Sequence, residues 1–370
     1  RSLNTNDAAA LTTDQMVALN SNQIGALTTA QIGALSTKQV AVIETGDLAA
    51  LNTAAIRALT TAAVAALTTD QVVALNSAQI GALSTAQFSA FNTAQVNAIE
   101  TSDLAGMTTA QVAVLNTAQA QAMTTAQVAA LNTAHVRALN TADTAALTSD
   151  QIANMNSAQI GALSTAQIGV LNTNQAAAIE TSDLAGLNTA AVRAFTTAAA
   201  NALTTDQIAT LNTAQVNALS TTQVAALNTN QIGAIETTDL AAMSTAQVAV
   251  FNTAQTVALS TAQIGALNTA DVRALNTANA AALTTDQIVA LNSNQVSALS
   301  STQFAAFTTA QINAMETTDA AVISSTQLAA FNTAQAAALT TDQIGVITTT
   351  ALRSLNTNDA AALTTDQMVA

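Results

Sequence analysis

Large apolar side chains return along this chain at the first and sixth places of every eight residues, with polar or small residues between them. Leu27-Thr28-Thr29-Ala30-Gln31-Ile32-Gly33-Ala34 is typical, and variants of it run without insertion from Leu3 to Ala370 as 46 octads. Positions 1 to 8 read Leu, Thr/Asn/Ser, Thr/Ser, variable, Gln, Ile/Val, small, Ala. Thr28 and Gln31 have the spacing of a capping box, in which the hydroxyl accepts from the third helical N–H and the glutamine reaches back to the cap's own N–H. Leu27 and Ile32 stand where a hydrophobic staple would fix the chain's entry into the helix. The pattern predicts one short helix per octad, starting at position 3 and ending by the next position 1. Such a helix is far below the roughly 12–15 residues that an isolated helix needs in water, so each must be held by its neighbours.

Two other secondary structures fit this period less well. A continuous helix would turn each successive Leu by about 80°, leaving no apolar stripe, and would bury two Thr, Ser or Asn per octad where they compete with the backbone. A strand wants alternation with period two, whereas the large residues here lie five apart and Ala, a poor strand former, fills much of the octad. The expectation is an all-α solenoid over residues 1–370, a single continuous array; a β-solenoid with Thr, Asn and Gln ladders is the alternative. Nearly unbroken Ala at position 8 predicts a backbone pressed closely against its neighbour, and the glycines sit mostly at position 7, as in Gly25, Gly33 and Gly81, rather than clustering as linkers.

Longer periods are written over the octad. Residues 1–18 recur identically as 353–370, an offset of 352 residues or 44 octads. The chain thus reads as a window of a longer array, and neither end carries the polar capping repeat that a free solenoid end needs. All six arginines, among them Arg57, Arg137, Arg193 and Arg273, occupy position 7, and each is followed thirteen residues later by an aspartate, as with Asp70, Asp150, Asp206 and Asp286. Glu44, Glu100, Glu180, Glu236 and Glu316 all occupy position 2. The octad after each Arg octad departs from the consensus by losing Gln at position 5, as at Asp143 and Asn279. These cassettes recur at 7, 10, 7, 10 and 10 octads. If every Arg faces one way, a turn holds about 3.4 octads, each octad touches the third and fourth along, and the charges form a basic stripe opposite an acidic one. These arginines, aspartates and glutamates are therefore the candidate residues for lateral contacts between copies.

Composition narrows the chemistry. A net charge of −14, with one Lys and six Arg, argues against nucleic acid, whose phosphates need basic patches. Absence of cysteine excludes disulfides and thiolate metal sites. No apolar run approaches the roughly 18 residues of a membrane span, so no membrane insertion is expected. His135 is the single histidine, and a solvated, incidental imidazole is the expectation because no partner constellation is visible. There is no Asp-x-Asp-x-Asp-Gly loop for Ca²⁺ and no GxSxG for a hydrolase, so no metal, no cofactor and no enzyme activity are expected. Without Trp or Tyr there is no stacking surface for sugars or bases.

Leu-Thr-Thr-Asp-Gln-Val at 67–72, and the same run ending in Ile at 283–288, resembles the helix opening of the TAL-effector repeat, over six residues and through shared capping physics. Over its whole length the chain is similar in composition to the Leu/Thr/Ala/Gln-rich short tandem repeats of very large secreted bacterial surface proteins. That resemblance implies export to the cell surface or medium. It implies a structural protein forming a fibre, stalk or matrix filament with copies of itself as partners, end to end or side by side. An adhesin or an ice- or mineral-binding array using regularly spaced Thr and Asp is the alternative.

Overall fold

The computed structural model describes residues 3–370. It contains 45 short α-helices and one 3-10 helix, Leu104–Gly106, and no strand among the described residues. The β-solenoid alternative is therefore set aside. Each α-helix begins at position 3 of its octad, as in Thr29–Ala34 or Ser77–Ala82, and ends at position 6, 7 or 8, whereas the 3-10 helix begins at position 6. Position 2 is the cap: it has extended backbone, and its side-chain oxygen accepts from the N–H of position 5, as Asn76 does from Gln79 at 3.1 Å. Where position 5 is Gln, its Oε1 returns the favour to the cap N–H, here at 3.0 Å. The capping box thus closes one octad after another.

No described residue has a positive φ, so the helices do not end on a left-handed glycine cap. They end because the next position 2 has extended φ and ψ, which Thr, Asn and Ser adopt readily while bonding the following N–H groups. The backbone of such a chain leaves several carbonyls per octad without a partner in their own helix. Those carbonyls locate the site described below.

Packing follows the two apolar positions. Side chains of position 6, such as Ile80, Val128 and Ile160, and of position 1, such as Leu83, Leu131 and Leu163, are buried. Aromatic substitutions show the contacts between them: Phe304 at position 6 lies 5.2 Å from Phe307 at the next position 1 and 6.0 Å from Phe331 at position 1 of a later octad. Position 4 and the charged residues at positions 2 and 7 face outward.

Two compact units are present, 1–187 and 188–370, and each is built in the same way. Within each, every helix packs on the third helix along, giving three columns of stacked helices. In the first unit one column runs from Thr5–Ala9 to Thr29–Ala34, Thr53–Ala58 and Ser77–Ala82. Contact with both the third and the fourth octad, expected from about 3.4 octads per turn, is divided between two kinds of group. Helices stack at three octads, and the fourth is reached by a side chain. The reason is that a helix of five or six residues spans only about 8–9 Å, too short to lie across two helices of the next layer.

Candidate functional site

Position 5 carries the repeated chemistry. Gln79 spends Oε1 on its own cap; its Nε2 donates to the carbonyl of Leu48 at 3.1 Å and to that of Leu51 at 2.8 Å, 31 and 28 residues back. Leu48 is position 6 of the octad four back, and Leu51 is position 1 of the octad three back. The same pair of bonds is made by Gln95 to Val64 and Leu67, by Gln159 to Val128 and Leu131, and by Gln343 to Ile312 and Met315. One amide therefore closes the start of its own helix and the end of another one layer away. Gln79 is 1% exposed, so losing its bonds would strand the buried Leu51 carbonyl, at about 1–3 kcal/mol, while the Leu48 carbonyl keeps the N–H of Leu51. The capping half of this role is visible in the octad. The clamp across layers is not, because its partners lie 28 and 31 residues away.

The charged cassettes are the places where the clamp is altered. In the Arg octads and those that follow them, position 5 is Ala55 and Ala63, His135 and Asp143, Ala191 and Ala199, Asp271 and Asn279, or Ala351 and Asp359. Alanine donates nothing. His135 is buried, contrary to the solvated histidine expected, because position 5 points inward in every octad. Its Nε2 lies 2.9 Å from the Met107 carbonyl, in the glutamine's place. Asn279 Nδ2 likewise donates to the Phe251 carbonyl at 2.7 Å. The arginine supplies a different bond: Nε of Arg57 donates to the Ala82 carbonyl at 3.2 Å, and Nε of Arg137 to the Ala162 carbonyl at 3.3 Å, each 25 residues on.

In the Glu octads both halves of the capping box are gone. Glu44, Glu180, Glu236 and Glu316 make no side-chain cap bond, and position 5 is Asp. That aspartate receives a hydroxyl from position 3 of the octad three back: Ser21 to Asp47 at 2.6 Å, Ser77 to Asp103 at 3.1 Å, Thr213 to Asp239 at 2.5 Å, Ser293 to Asp319 at 2.7 Å, and Ser157 to Asp183. Sequence reasoning took the glutamates and passed over their aspartate partners. A hydroxyl stands 26 places before every position 5, so the only local signal is that in four of these five cases it is Ser in place of the commoner Thr.

Burial perturbs three of these carboxyls. It pushes Asp143 up to about 6, opposed by the bond from Asn140, and Asp271 up to about 6, opposed by the bond from Asn268. Asp319 is raised by burial, held back by Ser293 and raised further by the charge of Glu316.

The candidate lateral residues Arg57, Arg137, Arg193, Arg273, Asp70, Asp150, Asp206, Asp286 and all five glutamates are exposed. In the first unit one helix column holds Arg57, Glu100 and Asp150, a second Arg137 and Glu180, and the third Glu44 and Asp70. In the second unit Arg193 shares a column with Glu236 and Asp286, Arg273 shares one with Glu316, and Asp206 lies in the third. Basic and acidic residues are thus mixed along the columns. No group of three or more metal-ligating side chains is found among the described residues, and no helix there is long and apolar enough to cross a membrane.

Capped one-octad helices, stacked at every third and clamped by buried glutamines, define a tandem-repeat α-solenoid. The model of the ALTTAQ repeat family matches the chain in eleven overlapping segments between residues 40 and 349, and the chain belongs to that family. No curated protein matches it.

Proposed function

We propose that this chain is a structural element, a non-catalytic repeat array of an extracellular or bacterial cell-surface fibre, stalk or matrix filament whose partners are further copies of itself. The observation that carries this reading is the glutamine clamp. The polar groups that recur most often are consumed by backbone N–H and C=O groups, so the repeated chemistry of the chain is directed at its own architecture. The acidic composition and lack of cysteine support export, and the exposed arginines and carboxylates, mixed along the helix columns, are the groups available for side-by-side association. An adhesive or ice-binding array would need its hydroxyls free, whereas those of position 2 are engaged as caps. The exposed hydroxyls of position 3 are what that second reading would use.

Electron microscopy of the purified chain, together with labelling of intact source cells by an antibody against it, tests the proposal. Filaments and surface labelling are expected. A monodisperse species that never associates, or labelling only after lysis, would overturn it.

A further inference from the structure

Asp271 sits in the glutamine slot but lacks a glutamine's donor. Its Oδ2 accepts from Asn268 Nδ2 at 2.5 Å, and its other carboxylate oxygen, Oδ1, is buried without a partner. Where the slot holds glutamine, its amide donates to the position-1 carbonyl 28 residues back, as Gln263 does to Ile235. That carbonyl is within reach of a side chain as short as aspartate, because Asn279, its isostere one octad later, bonds the Phe251 carbonyl at 2.7 Å. For Asp271 the corresponding carbonyl is that of Met243, and for Asp143, held by Asn140 Nδ2 at 2.6 Å, it is that of Leu115. A carboxylate can only accept, so in this slot it sets one acceptor against another in a buried place, and both lose their solvation.

We propose that Asp271, and Asp143 with it, is a proton-dependent substitute for the glutamine clamp. As a neutral carboxyl it donates its O–H to the Met243 or Leu115 carbonyl; as a carboxylate it leaves that carbonyl without a donor and loosens the layer. The proton comes from solvent and returns to it, so no other reactant is needed. Burial raises both groups from 3.8 to about 6, which is the direction that a slot favouring the protonated form requires.

Few ionisable groups surround the two slots. The helices packed on that of Asp271, Thr245–Ala249 and Ser293–Ala298, carry no ionisable side chain, and its own helix adds only Arg273. The helix Thr237–Leu240 contributes a carbonyl register to the slot; its Asp239 is bonded to Thr213, with Glu236 as the cap before it. Around Asp143 the packed helices Thr117–Ala122 and Thr165–Ile168 have no ionisable group. The helix Thr109–Ala113 has none either, and the flanking octads hold His135, Arg137 and Asp150.

The sign follows from linkage. With the folded value raised, the contribution is fully present below the unfolded value of 3.8 and is lost as pH rises through about 6, so these layers tighten in acid. Hydrogen exchange of peptides covering 243–249 and 269–275, corrected for the pH dependence of intrinsic exchange, reads this directly. Between about pH 4 and about pH 7.5, protection of the wild-type peptides should fall on the order of a hundredfold, two pKa units' worth. The Asp271→Asn and Asp271→Gln variants carry a permanent donor and should keep high protection at both pH values. A carboxyl ¹³C titration of the unmodified chain gives an independent readout, with Asp271 expected to titrate near 6. Equal wild-type protection at the two pH values, an Asn or Gln variant as pH-sensitive as the wild type, or an Asp271 carboxyl titrating in the ordinary range would each overturn the proposal.

Discussion

The side-chain amide of Gln159 donates to the carbonyl of Leu131 at 2.7 Å, 28 residues earlier, and to that of Val128 at 2.8 Å. Its Oε1 meanwhile accepts from the N–H of Asn156 at 2.9 Å. A single buried side chain therefore fastens two layers and begins a helix. Gln159→Ala should cost about 2–4 kcal/mol, since it strands the Leu131 carbonyl and removes half a capping box, while the Val128 carbonyl keeps the N–H of Leu131. The loss should be local, because in a linear array each layer answers to its neighbours. Hydrogen exchange is the measurement: protection should fall around 128–133 and 156–163, while helices near residue 60 stay protected. Uniform loss along the unit would contradict the layer-by-layer account.

Gly81 and Gly161 occupy the same place in the same local sequence, Ser-Ala-Gln-Ile-Gly-Ala-Leu, yet they should respond oppositely to Ala. A Cβ on Gly81 would lie 2.3 Å from the carbonyl oxygen of Gly106, whereas one on Gly161 meets nothing within 4 Å. Gly106 is itself pressed on Ser77, where a Cβ would come within 2.0 Å of the carbonyl oxygen. Gly81→Ala should therefore destabilise its layer by about 1–3 kcal/mol through overpacking. Gly161→Ala should be neutral or stabilise by up to about 1 kcal/mol through helix propensity. Denaturant melts of the two variants, compared side by side, check the difference in sign.

The capped helix was legible because its signals are local: Thr or Asn at position 2, Gln three residues on, and apolar residues either side lie within one octad. The stacking interval was less so. Charge spacing, read as if all arginines shared one azimuth, suggests about 3.4 octads per turn, whereas the helices stack at every third octad. The second role of Gln could not be read from an octad whose own atoms do not include the carbonyls of Leu131 or Val128. His135 was misjudged for the same reason: its missing chemical partners suggested solvent, whereas the inward direction of position 5 decides its burial and a backbone carbonyl is its partner.

Side-by-side association through the exposed charges gives a salt-dependent prediction. Isolated exposed ion pairs contribute about 0–1 kcal/mol, but many of them on one array act at high effective concentration. Changing Arg57, Arg137, Arg193 and Arg273 together to Gln should weaken any bundles and remove most of their sensitivity to salt, because few screened attractions would remain. Light scattering against ionic strength measures both. Unchanged bundle size and unchanged salt dependence in the quadruple variant would show that other surfaces hold the copies together.

The Arg cassettes should be the weakest layers, and the weakness should be repairable at one position. Ala63 lies in an octad that is otherwise close to consensus, with Thr60 capping the helix through the N–H of Ala63 at 3.1 Å. What is missing is the amide that elsewhere meets the carbonyls 31 and 28 residues back, here those of Ile32 and Leu35. Ala63→Gln would supply the donor to both and an acceptor for the Thr60 N–H, restoring a complete clamp. Opposing this is the volume of the longer side chain, since Ala63 is fully buried and overpacking costs about 1–3 kcal/mol where neighbours cannot yield. The Ile32 carbonyl already holds the N–H of Leu35, so the gain comes from relieving the Leu35 carbonyl, about 1–3 kcal/mol, and from completing the capping box, about 1 kcal/mol; against the overpacking cost the variant should gain about 1 kcal/mol. Amide protection at 32–36 and 60–66 should rise together, whereas simple filling of space would raise protection around residue 63 alone. If Ala63→Gln lowers protection in both segments, the layers of the Arg cassettes are closed without the clamp, and the account of them as weak points fails.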